Sequence, residues 1–277
     1  MASGTSLPPC VAVVNAKIMP SKLGQNFLKD KRKLKKIIPL LQIEPGDIIF
    51  EIGAGHGELT DEIIKIYPSA QLFLLEKDVK LAAFLINKYK ENKNIKIIDG
   101  DVLEELPILA TQTKNNFKII GNIPYYLTGK IFRTISSLET PPQSAILMVQ
   151  KEVGERAVFQ KDRFNSLSAS IEVWGIAKIV ASISRQSFSP VPKVDSVFLL
   201  ITKKDQPLSS QEKEAYFSLL KIAFQHPRKT LLNNLSHQLE ISKEELQQAI
   251  SDASLPANSR PQNLDFESLL SLSKKLL

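Results

Sequence analysis

At 277 residues, with 43% apolar and 23% charged side chains, the chain has an ordinary globular composition, which excludes wholesale disorder and fibrous repeats. No run approaches the ~20 apolar residues that cross a bilayer, and one cysteine, Cys10, with three histidines makes neither an internal disulfide nor a zinc site of usual spacing. A surplus of 36 Lys and Arg over 29 Asp and Glu gives +7 and a pI near 9.3, which leans toward an anionic partner, nucleic acid before membrane.

Residues 1–18 are rich in Ser, Gly and Pro and carry no secretory signal, so they read as a disordered extension ahead of a second methionine, Met19. From Leu28 to Leu41, apolar residues at steps of three and four predict a helix whose polar face is dense in Lys and Arg. Beyond the Pro45-Gly46 break, strands and helices alternate. The strands are Ile48 to Ile52, Gln71 to Glu76, Ile95 to Asp99, Phe117 to Gly121 and Ala145 to Gln150. Helices are predicted over Glu58 to Ile66, Asp78 to Lys88, Thr128 to Ser136 and Lys151 to Phe159. Near-continuous apolar strands separated by helices imply an α/β fold with a mainly parallel sheet covered on both faces. Ile176 to Ile183 and Ser196 to Thr202 lack a long helix between them and read as an antiparallel pair at one sheet edge.

The composition changes around Pro207, which predicts a domain boundary: 19–205 a catalytic domain, 208–277 a small all-helical one. Its four helices are predicted over Gln211 to Phe224, Arg228 to Gln238, Lys243 to Ser251 and Asn263 to Leu276.

Chemistry concentrates at strand ends. Gly53, Gly55 and Gly57 follow the first strand and open a helix, the place where a backbone turns tightly and admits a ligand. Their spacing is one residue short of the dinucleotide fingerprint, and Glu51 precedes them. An acid there suits a cationic sulfonium better than a pyrophosphate, so S-adenosylmethionine is favoured over NAD. Glu76 and Asp101 follow at equal intervals of 25 residues. They are placed to take ribose hydroxyls and an adenine amine; the plainer alternative for either is a solvated strand end or a helix cap.

Asn122-Ile123-Pro124-Tyr125 comes after the fourth strand. An exocyclic amine on a base is a poor nucleophile because its lone pair is delocalised. Two acceptors on its hydrogens, the Asn122 amide oxygen and a backbone carbonyl held by Pro124, would localise that pair. Tyr125 offers a face for an extruded base. Phe188 is a candidate for the opposite wall, or else a buried loop aromatic.

With these motifs together, the chain resembles the ribosomal RNA adenine dimethyltransferase family. Gly24 to Leu28, Glu51 to Thr60, Asn122 to Tyr125 and Phe188 to Ser196 match its G-Q-N-F-L, E-I-G-P-G-x-G-x-L-T, N-[LI]-P-Y and F-x-P-x-P-x-V-D-S motifs in order. Ala54 stands where the family usually has proline, and His226-Pro227 interrupts its usual F-x-x-R-R-K. The likeness runs from about Met19 to Leu235 and implies a Rossmann-like S-adenosylmethionine-dependent methyltransferase sheet. It further implies cofactor contacts from Asn26, Leu28, Gly53, Gly55, Glu76, Asp101 and Asn122, with Asn122, Pro124, Tyr125 and Phe188 holding the target adenine.

Within the family the chain is most similar to the housekeeping branch, carried by Gln150 to Arg156 and Phe224 to Leu235. That branch dimethylates two adjacent adenines near the 3′ end of 16S rRNA in the small (30S) subunit or its precursor. RNA contacts would come from Lys31, Arg32, Lys35, Arg228 and Lys229, whose plainer alternative is a solvated charged face. A cytoplasmic, metal-free monomer is implied. Two other readings stay open: a 23S rRNA methyltransferase of the macrolide-resistance type, and a non-catalytic ribosome-assembly or transcription factor on the same fold.

Overall fold

The computed structural model describes residues 27–28, 31–113, 116–205 and 208–277. The expected extension over residues 1–18 lies outside them, as does Asn26.

A short strand β1 (Phe27–Leu28) leads to helix α1 (Lys31–Ile37), which a 3-10 turn carries on to Leu41. The predicted alternation then follows: β2 (Ile48–Ile52), α2 (Glu58–Ile66), β3 (Gln71–Glu76), α3 (Val79–Lys88), β4 (Ile95–Asp99), α4 (Val102–Gln112), β5 (Phe117–Asn122), α5 (Thr128–Ser137), β6 (Ser144–Gln150) and α6 (Lys151–Ala157). After α7 (Ser166–Glu172) come β7 (Gly175–Ile183), β8 (Phe188–Ser189) and β9 (Ser196–Lys203).

Seven strands form one sheet in the order β4-β3-β2-β5-β6-β9-β7, with β1 and β8 pairing separately. The first five run parallel. As predicted, β7 and β9 close one edge as an antiparallel pair. Strand order reverses between β2 and β5, so the crevice outside their carboxyl ends is where such a sheet takes a ligand.

Alternation along the strands feeds two cores. Phe50, Ile52, Phe117 and Ile119 face Leu106, Ile131 and Phe132 of α4 and α5. Ile49, Leu72, Leu74 and Ile120 face Leu34, Ile38, Ile63 and Leu85 on the side of α1 to α3.

The C-terminal part is helical: α8 (Ser210–Ala223), α9 (Leu231–Ser236), α10 (Lys243–Asp252) and α11 (Phe266–Leu276). Its core also takes in Phe164, Ala169 and Val173, while Ile171 and Trp174 pack under the sheet. Helix α7 is therefore shared between the two parts, and the Tyr216 hydroxyl bonds the Ala169 carbonyl at 3.2 Å.

Several expectations are corrected. Helices α4 and α7 were not foreseen, and α6 stops at Ala157. The helix expected from Arg228 begins three residues later, because the Thr230 hydroxyl caps it by accepting from the Asn233 N–H at 3.3 Å. Arg228 and Lys229 consequently lie in the loop before α9.

Candidate active site

The crevice at the β2/β5 carboxyl ends is a cleft of about 1150 Å³, counting its open mouth. Its floor is glycine for a geometric reason. Ile52 of β2 is in register with Gly121 of β5, and a Cβ on Gly121 would stand 2.6 Å from the Ile52 carbonyl oxygen. One residue on, Gly53 holds φ at +69°, and a Cβ there would meet the Asn122 carbonyl oxygen at 3.3 Å. The glycine loop and the Asn122 strand end thus approach more closely than side chains on either would permit.

The outer end of the loop is tied from α3. Tyr89 donates to the Asp61 carboxylate at 2.7 Å and to the Gly57 carbonyl at 3.1 Å. Lys88 donates to the His56 carbonyl at 2.9 Å. In the middle, the Gly55 N–H donates to Glu76 at 2.9 Å, and the other Glu76 oxygen accepts from the Asp78 N–H at the same distance. Glu76 is thereby fixed in orientation at the end of β3. Each carboxylate oxygen accepts more than one bond, so it can still take a diol.

Asp101 caps α4 by accepting from the Leu103 N–H at 2.9 Å, and its second oxygen accepts from Lys77 at 2.7 Å. That ammonium holds the Asp101 carboxyl below the usual carboxylate range. Asp101 is thus a helix cap, the plainer alternative, and it also lines the cleft.

Glu51 is buried, and its sole hydrogen bond among those described is accepted from the Thr60 hydroxyl at 2.7 Å. Removal from water pushes its pKa up to about 8, with Glu58 and Asp61 adding to the effect.

On the other wall, the Ile123 N–H bonds the Met148 carbonyl at 3.1 Å, and the Leu127 N–H bonds the Pro124 carbonyl at 2.9 Å. These bonds stiffen the tetrapeptide as it leaves β5. The Tyr125 hydroxyl meets the Ser196 hydroxyl at 3.0 Å, which anchors that ring to the start of β9.

Of the expected site residues, the cleft brings together Leu28, Gly53, Gly55, Glu76, Asp101, Asn122, Pro124 and Tyr125. Phe188 does not join them. It is 1% exposed in the core beside Leu28, its pairing partner across β1 and β8. Lys77, Tyr126, Met148 and Phe198 line the cleft and were missed. Lys77 directly follows Glu76 and was detectable there; Phe198 reaches the cleft only through its pairing with Met148.

Among the described residues the cleft is lined by three carboxylates, Glu58, Glu76 and Asp101, and by the Glu51 acid, with Lys77 paired to Asp101. A pyrophosphate would be repelled, whereas a nucleoside bearing a sulfonium fits, with Leu75 and Val102 as apolar wall.

Comparison with known proteins agrees. The family described as "Ribosomal RNA adenine dimethylase" matches residues 17–276. The chain belongs to that family. A ribosomal RNA small subunit methyltransferase A from Dehalococcoides mccartyi is 32% identical over 88% of this chain and 84% of its own. One from Streptococcus gordonii is 32% identical over 91% of this chain and 90% of its own. A dimethyladenosine transferase from Plasmodium falciparum superposes with a TM-score of 0.71 at 25% identity, covering 89% of this chain and 95% of that one. The 23S rRNA methyltransferase ErmE shares the fold, at a TM-score of 0.68 and 23% identity over 90% of this chain and 99% of that one.

As a member of this family, the chain is an S-adenosylmethionine-dependent methyltransferase acting on adenine of ribosomal RNA. The departures from its motifs are local. Ala54 is buried among apolar neighbours. Pro227 sits in the loop before α9, so it breaks no helical bond.

Proposed function

We propose that the chain dimethylates N6 of two adjacent adenines near the 3′ end of 16S rRNA, in the small subunit or its precursor. The observation that carries this reading is the joining of Gly53 and Asn122 in one cleft wall, cofactor loop against base-holding tetrapeptide. The choice of the small subunit is supported by relatives carrying that name over most of their length.

The roles follow from the geometry. Gly53, Gly55, Glu76 and Asp101, with Leu28 and Asn122, would hold the cofactor, which supplies an electrophilic methyl on sulfur. An adenine turned out of its strand would stack on Tyr125. The Asn122 amide oxygen and the carbonyl of the Ile123–Pro124 bond would each accept from the amine, drawing nitrogen toward tetrahedral geometry. Displacement in line with the methyl needs no strong base, because the nitrogen becomes acidic once alkylated. Positioning then supplies most of the rate.

Arg32, Lys35, Arg228 and Lys229 are exposed and suited to phosphates; the side chain of Lys31 lies outside the described residues. The protein would act as a monomer in the cytoplasm, where the small subunit is assembled.

Methyl transfer to undermethylated 30S particles, with mapping of modified adenines on both ribosomal RNAs, tests the reading. Two dimethylated adenines on 16S rRNA are expected, formed about 10²–10³-fold more slowly with Asn122→Ala. Modification of 23S rRNA alone would assign the resistance-type activity instead. Cofactor binding without transfer by the wild type would assign the assembly-factor role.

A further inference from the structure

Glu51, the acid just ahead of the glycines, lines the cleft at the base of the glycine loop and is 1% exposed. Among the described residues no cation lies in salt-bridge contact with it, and its only bonded partner is the Thr60 hydroxyl. The charged and titratable groups around it are mostly acidic. Glu58 and Asp61 approach from α2, Lys88 from the end of α3 and Tyr89 from the residue after it, with Lys88 already bonded to Asp61 at 2.8 Å. Glu76, Lys77 and Asp101 share the cleft, and Lys77 is bonded to Asp101. A carboxyl in such a place is costly to ionise until a positive charge arrives.

We propose that Glu51 is the residue by which the protein tells the cationic cofactor from its uncharged by-product. Glu51 is a neutral acid before the cofactor binds, releases its proton to solvent when the sulfonium arrives, and recovers one after the methyl has left. The balance closes. Binding converts acid and cation into a carboxylate–sulfonium pair plus one solvent proton. Transfer breaks the S–C bond, whose electrons stay on sulfur as a neutral thioether, and forms the N–C bond, after which nitrogen sheds its proton to solvent. Glu51, facing no cation, then takes a proton from water.

Burial sets the direction of the pH effect, since removal from water pushes the Glu51 acid up to about 8. Affinity for a cation that lowers this value rises as pH climbs toward 8, while affinity for the thioether gains nothing from this group. Each unit of lowering is tenfold in binding.

The test is titration calorimetry with S-adenosylmethionine and S-adenosylhomocysteine between pH 6 and 9, on wild type and Glu51→Gln. The ratio of the two affinities should shift toward the sulfonium by roughly tenfold with rising pH in wild type, one unit of coupling. In Glu51→Gln that shift should vanish. The ligands' own amino groups titrate in the same range, so the wild-type-minus-variant difference is decisive. Infrared difference spectra of the wild type need no variant: adding S-adenosylmethionine should remove a protonated-carboxyl band that S-adenosylhomocysteine leaves. A common pH dependence for both ligands, a shift retained by the glutamine variant, or a band unmoved by the sulfonium would overturn the proposal. The proposal rests on the cofactor assignment, and failure of both ligands to bind would strike that assignment instead.

Discussion

The two ends of the β2/β5 pair are built on opposite plans. At their amino ends the Lys118 ammonium meets the Asp47 carboxylate at 2.7 Å, with both side chains over nine-tenths buried. The Glu44 N–H and the Gln42 carbonyl complete the set. Charge, hydrogen bonds and space are all used up there. At the carboxyl ends, glycines 53 and 121 remove side chains, the acids are oriented by backbone N–H groups, and a cleft stays open. Helices reaching the sheet from both faces cover its length, but strand-order reversal parts them only at the carboxyl side. The lesson is that stability and chemistry are separable along one pair of strands, and substitutions at the two ends should fail differently.

The largest effect is expected at the closed end. Lys118→Met leaves Asp47 charged and buried without its partner, a loss of about 3–5 kcal/mol in unfolding free energy. Denaturant unfolding measures this, and methyl transfer well below the melting temperature should be retained. Adding Asp47→Leu should restore much of the stability, since an apolar pair of similar volume replaces a desolvated ionic one. A Lys118→Met protein of wild-type stability would mean that the closed end contributes nothing.

The open end should behave in reverse. Asn122→Ala removes one of the two acceptors on the target amine. By analogy with deletion of a single preorganised hydrogen-bonding group, it should lower kcat about 10²–10³-fold. The melting temperature should stay near wild type, because Asn122 is only half-buried at a strand end. Parallel loss of stability and rate would merge the two ends into one structural unit.

Legibility in the sequence follows the same division. Strands β2 to β4 were readable to the residue because short, mostly apolar and β-branched runs are bounded by polar and turn-forming residues. The cleft was readable because glycines, acids and the Asn122 tetrapeptide recur at strand ends. Helix α4 was not, since Pro107 stands in its interior and argues against a helix, whereas Leu106 and Leu109 anchor it from the buried face. Helix α7 spans seven residues dominated by serines, and only its Asn165 capping box and its place between two cores hold it. For Phe188 the matched motif left two directions open, a wall of the base pocket or the core, because a motif match does not say which way a ring points. Its pairing with Leu28 sends the ring into the core. Thr60 and Tyr89 were invisible as site residues because their value lies in contacts across the fold, to Glu51 and Asp61.

A smaller effect is expected from Glu76→Gln. The amide would present a donor to one of the two N–H groups that the carboxylate now satisfies, those of Gly55 and Asp78. One lost bond of this kind costs about 1–3 kcal/mol. Cofactor affinity should therefore fall about 10- to 100-fold in calorimetry, with affinity for RNA unchanged. Equal loss for RNA would show that Glu76 supports the fold more than the ligand.

The smallest effect belongs to the helical part, where the basic residues are solvated rather than built in. Arg228 and Lys229 are exposed, but the loop carrying them is clamped by the buried Asn234. Its amide oxygen accepts from the His226 N–H at 3.0 Å, and its amide nitrogen donates to the His226 and Thr230 carbonyls at 3.1 Å. Reversing both charges, Arg228→Glu with Lys229→Glu, should weaken RNA binding and reduce the slope of log affinity against log salt by about 1.5–2, the release expected for two phosphate contacts. Asn234→Ala keeps the charges and frees the loop, so affinity should drop several-fold at every salt concentration with the slope unaltered. Filter binding across a salt series distinguishes the two: a slope that falls in Asn234→Ala would mean that the clamp, and not the charge alone, brings these residues to the phosphates. An unchanged slope in the reversal variant would remove Arg228 and Lys229 from the RNA surface altogether.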